Sequence, residues 1–560
     1  MFKVKGLLII FNLLFLAARP VLAIVNPLAA VNNRFGIHIL EPDDLLPAAN
    51  LVNTQGGDWG YVTLIIRQND RNLEKWQTVF DQLRRLHLIP IVRLATVAEK
   101  NYWIKPDLQD IGVWVDFLNA LNWVIKNRYL ILFNEPNHAL EWENQLDPSE
   151  YAAIVKQFQQ QLKSASADFF ILPAGFDTAA PNSAVSMSAV NYWRKMYQAD
   201  PTIFTLFDGW NSHSYPNPDF SGSPSATGFG SLQSYLAEFN YLKSFGLRPD
   251  LPIFISETGW THKDGHILGT SDPDSGALSD FYVQAFTQIW IQPNLVAVTP
   301  FILNYPDNPF SQFSWQIPHS QEFYPHYYRV ASLVKTAGQP TQIHASQLVK
   351  ADIPQSLVDS SHYQFKLQFK NTGQSIWNPA DFFLAISGNF PPDLIKASSV
   401  SATEPGQTAE FTLSLITPPI HNSYLFGFQL VFKDGPFGEK FAPEVVVVPP
   451  PTLIAKVKLL FKKSVSAADL KLLVYDADNQ LVTKLPLAIA SGQSQPTPLY
   501  NLIPNQIYRF VILKPFYLPR QSIARLNSDQ TEIIFKPLLP FDLNKDQRLS
   551  LADFFFWLKF

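Results

Sequence analysis

Short apolar runs alternate with longer amphipathic stretches between Phe35 and Phe301. The runs have the length and composition of buried strands, and they predict strands at Phe35–Leu40, Tyr61–Ile66, Ile89–Leu94, Tyr129–Phe133, Phe169–Pro173, Phe207–His213, Ile253–Ser256 and Ala297–Ile302. Between them, helical spacing of apolar positions predicts helices at Leu73–Leu86, Val113–Ile125, Pro148–Ser164, Leu232–Phe245 and Ser279–Ile291. A strand followed by a helix, repeated along the chain, is typical of the α/β class, and eight such repeats around a closed sheet form the (β/α)8 or TIM barrel.

The pattern changes after about Ala345, where apolar and polar residues begin to alternate. Strands are predicted at Tyr363–Phe369, Phe382–Ile386, Ala409–Leu415 and Leu425–Phe432, and this spacing is typical of a β-sandwich. A stiff proline linker follows at Pro449-Pro450-Pro451. Beyond it, a second small β-sandwich is predicted from strands at Lys456–Phe461, Leu470–Asp476, Ile507–Leu513 and Glu532–Phe535.

These changes divide the chain into five segments. They are a signal peptide at 1–23, a barrel at 24–345, a β-sandwich at 346–448, a second β-sandwich at 452–538 and a short polar loop with an aromatic tail at 539–560. A chain of 560 residues is too long for one hydrophobic core, so about three or four domains are expected in any case.

The composition narrows the classes of partner. The chain is 47% hydrophobic and 16% charged, with a net charge of −4, so neither nucleic acid nor an anionic membrane is an expected partner. Aromatic residues make up 14% of the chain, and exposed rings of this kind stack on the C–H faces of sugars. We expect a carbohydrate substrate and a monomer, with most of the phenylalanines in the cores.

The N-terminus has the organisation of an export signal. Lys3 and Lys5 form a positive segment, an apolar run extends from Leu7 to Ala18, and Val21-Leu22-Ala23 resembles a cleavage site. The apolar run is short for a transmembrane helix, so secretion is expected, with display at the cell surface if the segment is retained. The chain has no cysteine, which excludes disulfides, thiolate metal sites and a cysteine nucleophile.

Two of the predicted strands end on a glutamate. Glu135 follows the apolar run Tyr-Leu-Ile-Leu-Phe, and Glu257 follows Pro-Ile-Phe-Ile-Ser. A carboxylate at the end of a buried strand is poorly hydrated and therefore needs a partner or a function. In a (β/α)8 barrel the ends of the strands meet at the catalytic face, and two carboxylates at one barrel mouth can cleave a glycosidic bond.

Residues 30–340 resemble the clan A glycoside hydrolases, which are retaining (β/α)8 glycosidases. Asn134-Glu135-Pro136 is similar to the clan's fourth-strand motif, and Ser256-Glu257-Thr258-Gly259 is similar to its seventh-strand motif. The resemblance implies that Glu135 is the acid/base and Glu257 the nucleophile of a double displacement through a glycosyl-enzyme. It implies no cofactor for catalysis.

Neighbouring residues have expected roles in this scheme. Asn134 is positioned to hydrogen-bond a sugar hydroxyl, and His213 and Tyr215, which share one face of the sixth strand, are expected to point into the cleft. The resemblance makes Tyr215 the residue that orients the nucleophile. An arginine near the strand ends is expected to hold Glu257 ionised, and of Arg67 and Arg93 we favour Arg67.

Sugar-stacking residues are harder to assign from the pattern. Trp260, directly after the nucleophile motif, and Trp315, beyond the eighth strand, are candidates, while His38 faces either the barrel interior or its mouth. The clan usually places an aromatic residue, commonly Trp, at the end of strand eight. That strand carries no Trp here, which leaves the platform open among Phe301, Tyr305 and Trp315.

The C-terminal segments carry two further resemblances. Asn371-Thr372-Gly373 and Trp377 are similar to a signature of immunoglobulin-like domains appended to bacterial surface enzymes. The tail is similar to one half of a dockerin, with oxygen ligands in EF-hand spacing at Asp542, Asn544, Asp546, Arg548 (through its carbonyl), Ser550 and Asp553. This implies a structural Ca²⁺ and a cohesin-like or cell-surface partner, although dockerins carry two such loops and Gln547 replaces the turn glycine. A solvated acidic tail is the alternative.

Three functions remain open from the sequence. The first is a retaining glycosidase that cleaves β-linked bonds of an extracellular polysaccharide or oligosaccharide. The second is a barrel that binds carbohydrate without hydrolysing it, and the third is a transglycosylase that passes the sugar from the same intermediate to another sugar.

Overall fold

The structure is a computed structural model that describes residues 24–265, 273–433, 435–462 and 466–558. The predicted signal peptide at 1–23 lies outside the described residues. The chain divides into two compact units, Met1–Ile343 and His344–Phe560. Among the helices that the structure describes, none combines the length and the hydropathy needed to cross a membrane.

Parallel strands and helices alternate along the first unit. The strands are β1 (Gly36–His38), β2 (Gly60–Arg67), β3 (Leu88–Ala95), β4 (Arg128–Leu132), β5 (Phe169–Pro173), β6 (Trp210–His213), β7 (Ile253–Glu257) and β8 (Leu295–Val298). The helices that follow them are α1 (Leu45–Val52), α2 (Leu73–Arg85), α3 (Ile111–Ala120), α4 (Pro148–Ala165), α5 (Ala189–Ala199), α6 (Ser234–Leu242), α7 (Ser275–Gln284) and α8 (Pro325–Ala331). A small hairpin of Ala98–Glu99 and Tyr102–Trp103 lies between β3 and α3.

The parallel strands form a closed ring in sequence order. The first five make one sheet and the last three make another. Parallel bridges join the edges of the two sheets, one between Phe35 and Val298 and the other between Asp177 and His213. Nearly every strand residue is buried, as expected where a parallel sheet is covered by helices outside and by side chains inside.

Local sequence explains why the helices form where they do. In α2 the buried residues Trp76, Phe80 and Leu83 lie on one face, and Asn72 caps the helix by accepting a hydrogen bond from the Lys75 N–H. In α4, Asp147 accepts hydrogen bonds from two backbone N–H groups of the first turn, and Pro148 occupies the first helical position. Both helices have buried apolar residues along one face, Tyr151, Val155, Phe158 and Leu162 among those of α4.

The strand bounds differ from the sequence prediction mainly at the eighth strand. The prediction placed it at Ala297–Ile302, but the ladder of β8 covers Leu295–Val298 and ends before Pro300, which has no N–H to donate. Beyond β8 the chain continues as a loop, in which the Pro300 carbonyl accepts a hydrogen bond from the His38 N–H. The residues that were predicted to end this strand therefore lie in a loop at the mouth of the ring.

The second unit begins with two β-sheets that share one hydrophobic core. One sheet contains Ser346–Ala351, His362–Asn371, Thr408–Ile416 and Ile395–Ala397, and the other contains Ser356–Val358, Glu444–Val448, Ser423–Phe432, Phe383–Gly388 and Gly435–Phe441. Alternate residues of the strands are buried, which is the pattern of a sheet with one face on a core. Trp377 is buried in this core.

The remaining strands of the second unit form a single sheet, whereas a second two-sheet sandwich was predicted. It contains Thr452–Lys456, Ala467–Tyr475, Leu481–Ala490, Gln493–Ser494, Thr497–Pro498, Ile507–Lys514, Tyr517–Arg525 and Gln530–Ile534. Thr452–Lys456 pairs in parallel with Gln530–Ile534, so the sheet folds around its own core of aliphatic and aromatic residues. A last helix, α9 (Leu551–Trp557), follows.

Candidate active site

A cavity of about 460 Å³ opens at the carboxyl ends of the parallel strands. Its lining includes residues at or beyond the ends of all eight strands, and Glu135 and Glu257 are among them. The cavity therefore brings together the two glutamates that the sequence placed at the ends of the fourth and seventh strands. Asn134, His38, Tyr215 and Arg67 also line it.

Glu257 is the last residue of β7 and is surrounded by donors. Its side chain is buried, and one carboxylate oxygen forms a short ion pair with the Arg93 guanidinium. The Tyr215 hydroxyl donates to the other oxygen at 3.2 Å. The His38 Nε2 lies 3.7 Å from the carboxylate, with its imidazole fully buried.

These neighbours fix the protonation state of Glu257. Burial alone would raise the pKa of this carboxyl, but the charges of His213 and Arg93 outweigh burial and hold the pKa well below its usual range. Burial also lowers the pKa of His38 to about 3, so its ring is neutral at physiological pH. Glu257 is consequently ionised over the range in which enzymes work.

Glu135 lies in a tight turn beyond β4. Phe133 has a φ of 73° and Glu135 a φ of 26°, both in the left-handed region that non-glycine residues rarely adopt, and the His138 N–H closes the turn on the Glu135 carbonyl. Strained backbone of this kind concentrates at functional sites, because the surrounding structure must hold it in place. The turn leaves the Glu135 side chain 21% exposed, so this carboxyl reaches the solvent in the cavity.

His213 connects the two glutamates. Its Nδ1 lies 2.8 Å from a Glu135 oxygen and 3.8 Å from a Glu257 oxygen. Burial acts to lower the pKa of His213, but the two carboxylates together raise it above its usual value. One oxygen of Glu135 and one of Glu257 lie within 4.8 Å of each other, with His213 between them.

The position of His213 depends on a glycine beyond β5. A Cβ added at Gly175 would lie 2.0 Å from the His213 Cδ2 atom, and no real Cβ comes that close to another atom. The missing side chain leaves the space in which the imidazole reaches Glu135.

The arginine prediction is wrong, because Arg93 rather than Arg67 forms the ion pair with Glu257. Arg93 pairs in register with Ile65 of β2, whereas Arg67 pairs with Ala95, two residues nearer the end of the strands. Arg93 is therefore buried inside the ring, and Arg67 is exposed at the rim of the cavity. Arg93 also donates to the Asn134 Oδ1 at 2.5 Å, which ties the two motifs together.

The two tryptophans predicted to stack on sugar do not line the cavity. Trp260 and Trp315 are both fully buried and pack against Tyr282 of α7. Gly259, with a φ of 126°, turns the chain directly after the nucleophile motif, and Trp260 is then held by a hydrogen bond from its Nε1 to the Gly222 carbonyl. Both stacking predictions are therefore wrong.

Other aromatic side chains line the cavity instead of these two tryptophans. The cavity is lined by Trp103, Phe220, Phe301, Tyr305, Phe310 and Phe313. Phe301 is the member of this set that contacts the His38 ring, edge to face at 5.2 Å between centroids. Of the three platform residues left open by the sequence, Phe301 and Tyr305 line the cavity and Trp315 does not.

Three polar residues that line the cavity were not predicted from the sequence, namely His138, Glu141 and Asp177. His138 pairs with Asp177 at 2.9 Å, and Glu141 lies in the same loop as Glu135. Asp177 follows β5, a strand with no recognised motif, so nothing in the sequence marked it. The position of Glu141 shortly after the acid/base motif was the one signal that could have found that residue.

The C-terminal loop gathers the oxygen atoms that a cation requires. Carboxylate oxygens of Asp542, Asp546 and Asp553 lie within 4.8 Å of one another, and the Asn544 side chain donates to Asp546. Gln547 has a φ of 67°, which is the left-handed conformation that the turn needs where a glycine is absent. Three carboxylates gathered in this way form a donor set that fits Ca²⁺.

The comparisons with known proteins gave no family. No family model matches the chain, and no curated protein matches it. Among solved structures, a GH113 β-mannanase from Alicyclobacillus acidocaldarius is 11% identical at a TM-score of 0.33, covering 55% of this chain and 97% of that chain.

Two other solved structures are similarly distant. A β-1,4-D-mannanase from Cryptopygus antarcticus is 10% identical at a TM-score of 0.33, covering 56% of this chain and 97% of that chain. The γ-CGTase from alkalophilic Bacillus clarkii is 8% identical at a TM-score of 0.23, covering 91% of this chain and 100% of that chain. Likeness at this level decides neither fold nor function, which rest on the residues and distances above.

Proposed function

We propose that the chain is a retaining glycosidase on a (β/α)8 barrel, acting on β-linked bonds of an extracellular glycan. The observation that carries the proposal is the pair of Glu135 and Glu257 in one cavity, with oxygens within 4.8 Å of each other. Retaining enzymes separate their carboxyl groups by about 5–5.5 Å, whereas inverting enzymes need about 6.5–9.5 Å to admit a water between them. The short separation favours retention.

In the first step Glu257 attacks the anomeric carbon and forms an ester with the sugar. The bond to the leaving oxygen breaks, and Glu135 donates its proton to that oxygen, so the aglycone departs as an alcohol. Arg93 and Tyr215 hold the attacking carboxylate ionised and fix its orientation. The exposed Glu135 lies on the solvent side, where a leaving group can depart.

In the second step a water attacks the same carbon and Glu135 accepts its proton. The ester bond breaks, the sugar leaves with its original configuration, and Glu257 returns as a carboxylate. Ester formation removes the negative charge from Glu257, so Glu135 then has one fewer anion nearby and becomes a stronger acid. His213, which contacts both carboxylates, is placed to stabilise the ionised form of Glu135 at this stage.

The experiment is a hydrolysis screen against aryl β-glycosides and soluble β-glucans, mannans and xylans. We expect turnover of at least one class by the wild-type chain, and its abolition in Glu257→Gln without loss of the folded state by circular dichroism. Glu143→Gln is the matched control, because Glu143 lies in the loop after β4 but outside the cavity lining. Binding without turnover by the wild type would favour the carbohydrate-binding alternative, and a Glu257→Gln variant with wild-type rates would contradict the nucleophile assignment.

Two further expectations stay proposals. Secretion rests on the N-terminal pattern of Lys3, Lys5 and the apolar run that follows. A structural Ca²⁺ in the C-terminal loop rests on the carboxylate cluster of Asp542, Asp546 and Asp553 and on the conformation of Gln547. The ion would hold the loop together and takes no part in hydrolysis.

A further inference from the structure

A histidine and an aspartate form a pair beside the acid/base. The His138 Nε2 lies 2.9 Å from the Asp177 Oδ2, and both residues line the cavity. The reaction scheme above gives neither residue a task. Both side chains are partly exposed, and an ion pair so close to solvent adds little to the free energy of unfolding. Folding stability therefore does not explain the pair.

The loops that follow β4 and β5 hold the pair in place. The His138 N–H donates to the Glu135 carbonyl at 2.9 Å, which fixes the histidine next to the acid/base. The buried Asn137 side chain donates to the Asp177 carbonyl at 2.9 Å, and an antiparallel bridge joins His138 to Ser186. The two loops are therefore tied together, and the position of the pair is preorganised.

The exposure of the side chains shows which way the cavity opens. The exposed fraction rises from 9% at Glu257 to 21% at Glu135. It rises further to 30% at Asp177 and 32% at His138. In the reaction Glu257 attacks the anomeric carbon, and Glu135 gives its proton to the oxygen that leaves. The departing group therefore lies on the exposed side of Glu135, where the pair is.

Both members of the pair keep hydrogen-bonding capacity for a ligand. A carboxylate only accepts, so the His138 Nε2 donates to Asp177, and each carboxylate oxygen retains a further lone pair. The Ala179 N–H donates to the other Asp177 oxygen at 2.8 Å, which fixes the plane of the carboxylate. Among the described residues, none forms a hydrogen bond with the His138 Nδ1. Such fixed polar atoms suit hydroxyl groups, which a sugar carries and a plain aryl group lacks.

We propose that His138 and Asp177 form the subsite for the sugar on the leaving-group side of the scissile bond, by binding its hydroxyl groups. This inference rests on the proposed glycosidase function and makes the substrate a glycan with a sugar on both sides of that bond. Hydrogen bonds in the subsite hold the leaving oxygen close to Glu135. Their loss should slow the release of a sugar and spare a leaving group without hydroxyls.

The test compares an oligosaccharide found in the screen with an aryl β-glycoside of the same reacting sugar. We expect His138→Ala and Asp177→Ala each to lose about 10- to 100-fold in kcat/KM on the oligosaccharide, as for lost hydrogen bonds to a charged group, and to keep the wild-type rate on the aryl glycoside. The double variant should lose little more than either single variant, because the two side chains act as a unit. Asp116→Ala, which removes an exposed aspartate of α3 outside the cavity lining, is the matched control and should change neither substrate.

Binding measurements separate this inference from the function on which it rests. In a Glu257→Gln background the same oligosaccharide should bind about 10- to 100-fold more weakly, by isothermal titration calorimetry, once Asp177→Ala is added. Unchanged binding would overturn the inference. Equal losses of kcat/KM on both substrates would also overturn it, because the pair would then act on Glu135 rather than on the leaving group. A wild-type chain without turnover would contradict the proposed glycosidase function, and the binding comparison would still decide on the subsite.

Discussion

At the scale of single residues, the site depends on keeping one buried carboxylate charged. Glu257 is 7% exposed, and an isolated carboxylate at such burial would be protonated rather than ionised. Arg93 supplies the ion pair, Tyr215 a hydrogen bond and His213 a positive charge nearby. Removing one member of a buried ion pair typically costs about 3–5 kcal/mol, so these contacts matter for stability as well as for catalysis.

Arg93→Met should raise the pKa of Glu257 and move the acid limb of kcat/KM to higher pH, by about one to two pH units. A depressed carboxyl pKa stabilises the folded state above the unfolded pKa, here 4.5, and the stabilisation is lost as the pH falls towards about 2. The variant should therefore unfold at lower temperature at neutral pH. Arg67→Met is the control, because this exposed arginine makes no ion pair with Glu257 and should leave the limb in place. If the acid limb of the kcat/KM profile moves equally in both variants, Arg93 is not the residue that keeps Glu257 ionised.

The sequence predicted the two glutamates of the cavity better than the residues that contact them. The motifs predicted that Glu135 and Glu257 meet, and both line one cavity. Of the two sixth-strand residues expected to point into the cleft, Tyr215 lines the cavity, whereas His213 is fully buried behind it and does not. The choice between Arg67 and Arg93 required the strand register, which one sequence does not contain. Trp260 failed as a stacking residue because the turn at Gly259 follows the strand immediately.

At the scale of elements, the close approach between the ends of β5 and β6 sets the position of His213, which contacts Glu135. Gly175, beyond β5, leaves room for the buried His213 ring, whose Nδ1 lies 2.8 Å from a Glu135 oxygen. The polar contact between His213 of β6 and Glu135 beyond β4 thus depends on a glycine beyond β5, the strand that lies between them. A methyl group at this position would displace the ring or the strand.

Gly175→Ala should lower the free energy of unfolding by about 1–3 kcal/mol, the range for overpacking, and reduce kcat. Adding His213→Ala removes the ring that the methyl group meets, so the stability loss due to Gly175→Ala should shrink in that background. Gly112→Ala is the control, because nothing lies within 4 Å of an added Cβ in α3, and it should stabilise by about 0.5–1 kcal/mol. Equal losses in both backgrounds, measured by denaturant titration, would show that Gly175 acts through something other than His213.

The bounds of helices and strands were predicted correctly where a short local sequence pattern marked them. The cap of α4 by Asp147 and Pro148 is a local pattern, and the helix begins at Pro148. The end of β8 was mispredicted because apolar residues continue beyond Val298 into the loop that lines the cavity. Hydrophobicity alone does not distinguish a strand residue from one buried in a loop.

At the scale of the whole molecule, the cavity and the C-terminal β-sheets belong to different compact units. The cavity with both glutamates lies in Met1–Ile343, and the carboxylate cluster of the tail lies in His344–Phe560. The sequence predicts a change of pattern after about Ala345, and the contacts divide the chain after Ile343. The arrangement of the last β-strands as one sheet was not predictable, since strand pairing over long separations leaves no local pattern.

Removal of divalent cations tests the role of the tail. EDTA should leave hydrolysis unchanged, while added Ca²⁺ at about 100 times its Kd should stabilise the loop by about 2.7 kcal/mol. Differential scanning calorimetry of the full chain should show this as a transition that moves to higher temperature in the wild type but not in Asp542→Asn. Asp529→Asn, an exposed aspartate of the same unit, should respond like the wild type. A calcium response that survives in Asp542→Asn would place the ion elsewhere.

The anomeric configuration of the first-formed product tests the paired carboxylates most directly. Proton NMR of the hydrolysis of a β-linked substrate should show the β-anomer accumulating first and mutarotating later, because two displacements at one carbon restore its configuration. Initial release of the α-anomer would mean that water attacks directly, and Glu257 would then not be the nucleophile of a double displacement.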